Sequence, residues 1–202
     1  MRITSFFVSL AALLTLSPIA ALAAPYQYTF TGVGSGIANG AAFNSAGFTV
    51  SFTGDSSNVA AVPSPAAVLG TASLNTGSVA IDGLTPLSFQ NPLQVFVNNT
   101  AEIVGVRDTV LRTDIFHVSE PGIGLDTYAL NSDFGPITDA TPGFNFEGTA
   151  LSVPLNLGAL QFSDIASLTF TSTMAVPLPA VAWLFPSGLL AGLAWVRRQR
   201  PA

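Results

Sequence analysis

The sequence predicts an all-β fold: an antiparallel β-sandwich of about eight to ten strands, flanked by an N-terminal signal peptide and a C-terminal transmembrane helix. Three observations carry this. Apolar residues in the middle of the chain alternate with polar ones at period two, the spacing of a half-buried strand. Turn-forming dipeptides recur between those runs. The only uncharged apolar stretches near membrane length lie at the two ends.

At the N-terminus Met1-Arg2 supplies a short basic segment, and residues 6–16 are almost wholly apolar. Ser17-Pro18 then breaks the helix, and Ala21-Leu22-Ala23 fits the small-x-small rule for signal peptidase. Cleavage is expected after Ala23, which divides the chain into a signal peptide (1–23), a β ectodomain (24–175) and a tail (176–202).

In the ectodomain Tyr26, Tyr28 and Phe30 alternate with Gln27 and Thr29; Phe48, Val50 and Phe52 do so with Thr49, Ser51 and Thr53. Leu168 and Phe170 continue the pattern in an expected last strand at 167–173. Further β-rich pieces are 78–81, 93–97, 102–106, 110–118, 125–130, 144–149 and 157–162, and no amphipathic helical run of about 12 residues interrupts them. Asn39-Gly40 and Asp82-Gly83 read as type I′ hairpin turns, which need positive φ at both positions. Pro63-Ser64-Pro65, Asn91-Pro92, Pro121-Gly122, Gly135-Pro136 and Pro142-Gly143 read as loops. The Ala-, Pro- and Ser-rich stretch 56–70 reads as a loop over one end. Many short strands with frequent turns argue a sandwich or barrel.

Charge excludes one class of partner. The six basic residues are all arginine, and only Arg107 and Arg112 fall in the ectodomain, against all eleven acids, for a formal charge there of −9. Nucleic-acid phosphates need Lys or Arg, so DNA and RNA are excluded as partners. With no cysteine in the chain, thiol catalysis, disulfides and Cys-ligated zinc are excluded as well.

The candidate chemistry is thin. Gly32-Val33-Gly34-Ser35-Gly36 fits no dinucleotide fingerprint, because Ile37 and Asn39 stand where the third glycine belongs; it reads as a glycine-loosened edge strand and hairpin. His117 is the only histidine, no G-x-S-x-G elbow accompanies it, and it reads as a sheet or rim residue sharing a face with Leu111, Thr113 and Ile115. Calcium is the one cofactor the acids suggest, with Asp126, Asp133 and Asp139 as its candidate ligands. Arg107 beside Asp108, and Arg112 near Asp114, read as surface ion pairs. No catalytic residue is assigned.

The tail is the most informative segment. No residue from 175 to 196 is charged, and the span, about 179–196, is followed by Arg197, Arg198 and Arg200. Read as helix, those 22 residues measure about 33 Å, close to a bilayer core. Basic residues after a span stay cytoplasmic, which places the ectodomain on the far side, as the signal peptide also requires. Val176-Pro177-Leu178-Pro179-Ala180, then Val181-Ala182-Trp183-Leu184-Phe185, Ser187-Gly188-Leu189-Leu190 and the arginine cluster resemble the VPLPA form of the PEP-CTERM sorting signal. The resemblance covers the tail alone; Leu178 stands where the family's name-giving glutamate would be, and Pro186 where glycine is usual. It implies an exported protein of a Gram-negative bacterium, first held in the inner membrane and then sorted to the cell surface by an exosortase, with an association to exopolysaccharide or biofilm.

The expectation is therefore a non-enzymatic surface or matrix protein. Its partners would be the membrane, an exosortase-like enzyme, and polysaccharide or envelope proteins. A secreted glycan-active enzyme and a calcium-dependent adhesin, displayed by the same tail, are the alternatives.

Overall fold

The computed structural model describes residues 25–61, 68–71, 77–143 and 152–175. Within them the chain is all-β and the pairing is antiparallel. The strands are β1 (Pro25–Ala38), β2 (Ala41–Asp55), β3 (Ala60–Ala61), β4 (Val68–Gly70), β5 (Ser78–Ile81), β6 (Leu87–Ser88), β7 (Leu93–Asn98), β8 (Ile103–Asp108), β9 (Thr113–Ser119), β10 (Phe134–Asp139), β11 (Val153–Leu155) and β12 (Gly158–Met174). Twelve strands exceed the expected eight to ten because β3 and β6 are two-residue strands and β4 and β11 have three residues each.

One sheet runs β10-β12-β1-β2-β5-β6, with β11 also on β12; the other runs β3-β4-β7-β8-β9. The period-two pattern explains their packing. Tyr28, Phe30, Val50, Phe52, Leu168 and Phe170 turn inward from the first sheet and meet Val95, Val104, Phe116 and Val118 from the second in one apolar cluster. Phe30 and Phe116 touch across the two layers, 5.2 Å between centroids at 64°. Burying each such side chain contributes about 1.5–3 kcal/mol. The arrangement is sandwich-like, two sheets face to face over a shared core.

Several expectations are corrected. β1 is no edge strand, since it lies between β12 and β2. Its glycines are needed for close approach: a Cβ on Gly32 would stand 2.3 Å from the Ser167 carbonyl oxygen, and one on Gly36 2.0 Å from that of Gln161. The expected strands at 157–162 and 167–173 are one 17-residue strand, β12, paired along β1 with register shifts at Val33/Gly34 and Ser35/Gly36. Gly135-Pro136 lies inside β10 rather than in a loop. Residues 125–130 form no strand; they belong to the connection from β9 to β10. Asn39 and Gly40 both have positive φ, 51° and 77°, as a type I′ turn requires, whereas only Gly83 does in the second dipeptide, where the Leu84 amide donates to the Ile81 carbonyl in a β-turn. The expected strand 144–149 lies outside the described residues.

The connection between β9 and β10 is tied down by polar groups. The Tyr28 hydroxyl donates to the Leu130 carbonyl (2.6 Å). The Tyr128 hydroxyl donates to Ser172 Oγ, which in turn donates to the Ser132 carbonyl, both at 2.7 Å. Asn99 Nδ2 donates to the carbonyls of Leu125 (2.6 Å) and Tyr128 (2.9 Å). The bonds to Leu125, Tyr128, Leu130 and Ser132 each satisfy a carbonyl that no sheet ladder reaches, which is why this segment packs without being a strand. Burial pushes both phenols well above the ordinary tyrosine range.

Candidate functional site

The signal-cleavage residues Ala21 and Ala23, the sorting motif 176–180 and the arginines Arg197, Arg198 and Arg200 lie outside the described residues. So does the expected membrane span; among the described residues no helix is long and apolar enough to cross a membrane. The structure does place the two points where these segments join the body. Tyr26 pairs with Met174, and the Ala175 amide donates to the Pro25 carbonyl at 2.8 Å. The Met174 amide donates to Asp133 Oδ1 at 2.6 Å. Both flanking segments therefore leave the same end of the body, here termed the tail end, and β12 is hydrogen-bonded up to the residue before Val176.

Strand directions define the opposite end. β1 leaves the tail end and β2 returns to it; β5 runs away from it, since Ser78 pairs with Ser51 and Ile81 with Phe48. The Asn39-Gly40 turn, the β5–β6 turn and the Asn156-Leu157 turn before β12 therefore cluster far from the tail. The Asn156 amide donates to the Ser88 carbonyl and the Gln90 amide to that of Pro154. The Thr109 amide donates to the Pro92 carbonyl, which brings the β8–β9 turn to the same end. An open pocket of about 210 Å³ lies there, lined by Ala38, Ala41, Leu84, Leu87 and Leu157 with Asn39 and Thr85.

The three acids proposed for calcium are not gathered. Asp126 is exposed in the β9–β10 connection. Asp133 accepts from Met174, and Asp139 caps the chain: Oδ2 accepts from the Ser119 amide (2.9 Å) and Oδ1 from the Thr141 amide (2.7 Å). Among the described residues no three His, Asp or Glu side chains are grouped to hold a metal ion. The carboxylates of Asp133 and Asp139 act as acceptors for backbone N–H groups at strand ends and turns.

Asp108, read as the surface partner of Arg107, is instead fully buried. Oδ1 accepts from the amides of Val110 and Leu111 (both 2.8 Å), and Oδ2 accepts from Asn91 Nδ2 at 2.8 Å. A buried carboxylate costs several kcal/mol unless partnered, and three donors partner this one. Arg107 pairs with Asp114 instead, Nε to Oδ1 at 2.7 Å, and its guanidinium lies 5.3 Å from the centre of the Phe96 ring.

That pairing follows from a bulge. Val106 pairs with Phe116 and Arg107 with Asp114, so Ile115 is skipped. Ile115 and Phe116 are both buried, and the expected face shared by Thr113, Ile115 and His117 is broken. His117 sits in a cross-strand row in which small and ring-bearing residues alternate: Gly70, Phe96, Gly105, His117, Gly143. A Cβ on Gly143 would stand 2.0 Å from His117 Nε2. His117 Nδ1 is buried without a hydrogen-bond partner, and burial pulls the imidazole below its ordinary range, against the opposing pull of Asp114 and Asp139. The row uses the histidine as a packing ring against glycine, as a sheet residue.

Sequence reasoning missed the buried Asp108, the Tyr128–Ser172 link and the apolar pocket. Only the first left a signal, an Asp placed to accept from the amides two and three residues on, at Val110 and Leu111. No family model, curated protein or solved structure matches this chain.

Proposed function

We propose that this chain is an exported, tail-sorted bacterial surface protein whose β body is a non-enzymatic interaction module. The tail carries the reading: Val176-Pro177-Leu178-Pro179-Ala180, an uncharged run of membrane length, and a terminal arginine cluster. The meeting of Pro25 and Ala175 supports it, because a body that is freed at its N-terminus and held at its C-terminus has both junctions on one side. With the Ala175 amide bonded to Pro25, only residues 176–178 separate the body from a span beginning near 179, so the body stands close to the membrane until it is sorted. The non-enzymatic part rests on how the acids are used: Asp55, Asp108, Asp133 and Asp139 all accept backbone amides. The same use of Asp133 and Asp139 weighs against the calcium-adhesin alternative.

Intact mass of the protein recovered from membranes and from culture fluid tests this reading. Loss of residues 1–23 with a second cut near 176–180 is the expected result. An intact N-terminal segment, or a protein retained in the cytoplasm, would overturn it.

A further inference from the structure

A short strap laces the two sheets together at one side of the sandwich. β10 stands at an edge of the first sheet and β9 at an edge of the second. Residues 139–143 run from one to the other: Asp139 is the last residue of β10, and Gly143 forms a single bridge to His117 in β9. The strap is fastened to β9 at two points. The His117 amide donates to the Gly143 carbonyl at 2.8 Å, and the Ser119 amide donates to Asp139 Oδ2 at 2.9 Å. These amides lie two residues apart on the open edge of β9, which would otherwise present unpaired backbone groups.

The Gly143 fastening has a titratable group beneath it. A Cβ on Gly143 would stand 2.0 Å from His117 Nε2, so the strap lies directly against the imidazole. His117 Nδ1 is the one buried side-chain nitrogen or oxygen among the described residues that has no hydrogen-bond partner. The charged groups acting on the ring are Asp114 of its own strand and Asp139 of β10. Arg107 of β8 pairs with Asp114, and Asp139 accepts from the Ser119 and Thr141 amides. The ring's cross-strand neighbour on β8 is Gly105, which brings no acceptor side chain. A neutral ring suits this seat. A second ring proton would add a charge and a donor with no acceptor, which burial penalises, and the imidazole is pulled below its ordinary range in spite of both carboxylates. The protonated ring gains partners by turning out to water, and in turning it leaves Gly143.

We propose that the strap is an acid-released latch: when His117 takes up its second proton the ring leaves its seat, the Gly143 bridge opens, and the edge of β9 is bared while the two sheets stay packed. The sheets stay packed because Phe116 and Val118 hold to Phe30 and Phe170 in an apolar cluster that contains no acid and no histidine. The latch belongs to the β body alone and is independent of how the tail is read.

Hydrogen exchange of the full-length protein, followed by NMR at pH 7.5 and 5 and corrected for intrinsic rates, tests this. The His117 amide should lose protection at least tenfold at the lower pH, while the Phe30 and Val95 amides, in inner strands of the two sheets, keep theirs. His117→Phe keeps a ring against Gly143 with no proton to gain, so the amide at position 117 should stay protected at both pH values. Equal protection of the His117 amide at both pH values overturns the proposal. So does an acid loss shared equally with Phe30 and Val95, or the same acid loss in His117→Phe. The comparison within the wild-type chain decides even where His117→Phe does not fold.

Discussion

The Ala175 amide donates to the Pro25 carbonyl at 2.8 Å, joining the first and last residues of the described body. One residue earlier, Asp133 Oδ1 accepts from the Met174 amide. The chain thus enters and leaves the sheet at one point, and Asp133 fastens the exit. Replacing Asp133 with Ala should raise amide exchange at Met174 and Ala175 at least tenfold while lowering global stability by about 1 kcal/mol or less. Unchanged exchange at Met174 would show that β1 pairing alone holds this end.

Asp108 predicts a larger loss. Asp108→Ala removes the acceptor for the Val110 and Leu111 amides and for Asn91 Nδ2. Hydrogen bonds to a charged group contribute about 1.5–3 kcal/mol each and are not additive, so a total near 3–5 kcal/mol is expected in urea unfolding. A cost under about 1 kcal/mol would mean that water replaces the carboxylate.

Ser172→Ala and Tyr128→Phe separate the two bonds of the buried relay. Ser172→Ala leaves the Tyr128 hydroxyl without an acceptor and the Ser132 carbonyl without a donor. Tyr128→Phe leaves Ser172 Oγ still donating to Ser132. The first should cost about 1–3 kcal/mol and clearly more than the second. Equal costs would indicate that the two groups act independently.

His117 gives the body an acid-sensitive component. Its folded-state value lies below the ordinary 6.5 because burial disfavours the charged ring. Between those values the unfolded chain binds a proton that the native chain does not. Stability from this residue is therefore full above pH 6.5 and falls as pH drops through that window. Thermal unfolding from pH 7.5 to 5 should show the decline, with a smaller slope in His117→Gln. A proton NMR titration midpoint above 6.5 would reverse the sign.

Calcium should leave the melting temperature within about 1 °C, since a ligand that binds only the native state must raise it. Asp133 and Asp139 are already engaged with backbone amides, and Asp126 stands apart from them. A saturable rise with calcium, reversed by chelator, would establish a site.

By itself the sequence determined the fold class, the Asn39-Gly40 hairpin and the inward rows Tyr26–Tyr28–Phe30 and Phe48–Val50–Phe52. These depend on local chemistry: period-two alternation, and positive φ at a turn. It also carries the whole case for export and sorting, because short signals read by processing enzymes are written in order along the chain. The tertiary structure decided what depends on partners distant in sequence. The bulge that skips Ile115 exists because β9 must match β8, and no pattern within 110–118 announces it. Residues 125–130 look like a strand, yet their carbonyls are claimed by Tyr28 and Asn99, roughly 100 and 30 residues away in sequence. The apolar pocket emerged only when turns scattered from 38 to 157 came to one end. Local periodicity reports which face of a strand is buried; it has no access to which strands become neighbours, and the site is made by neighbours.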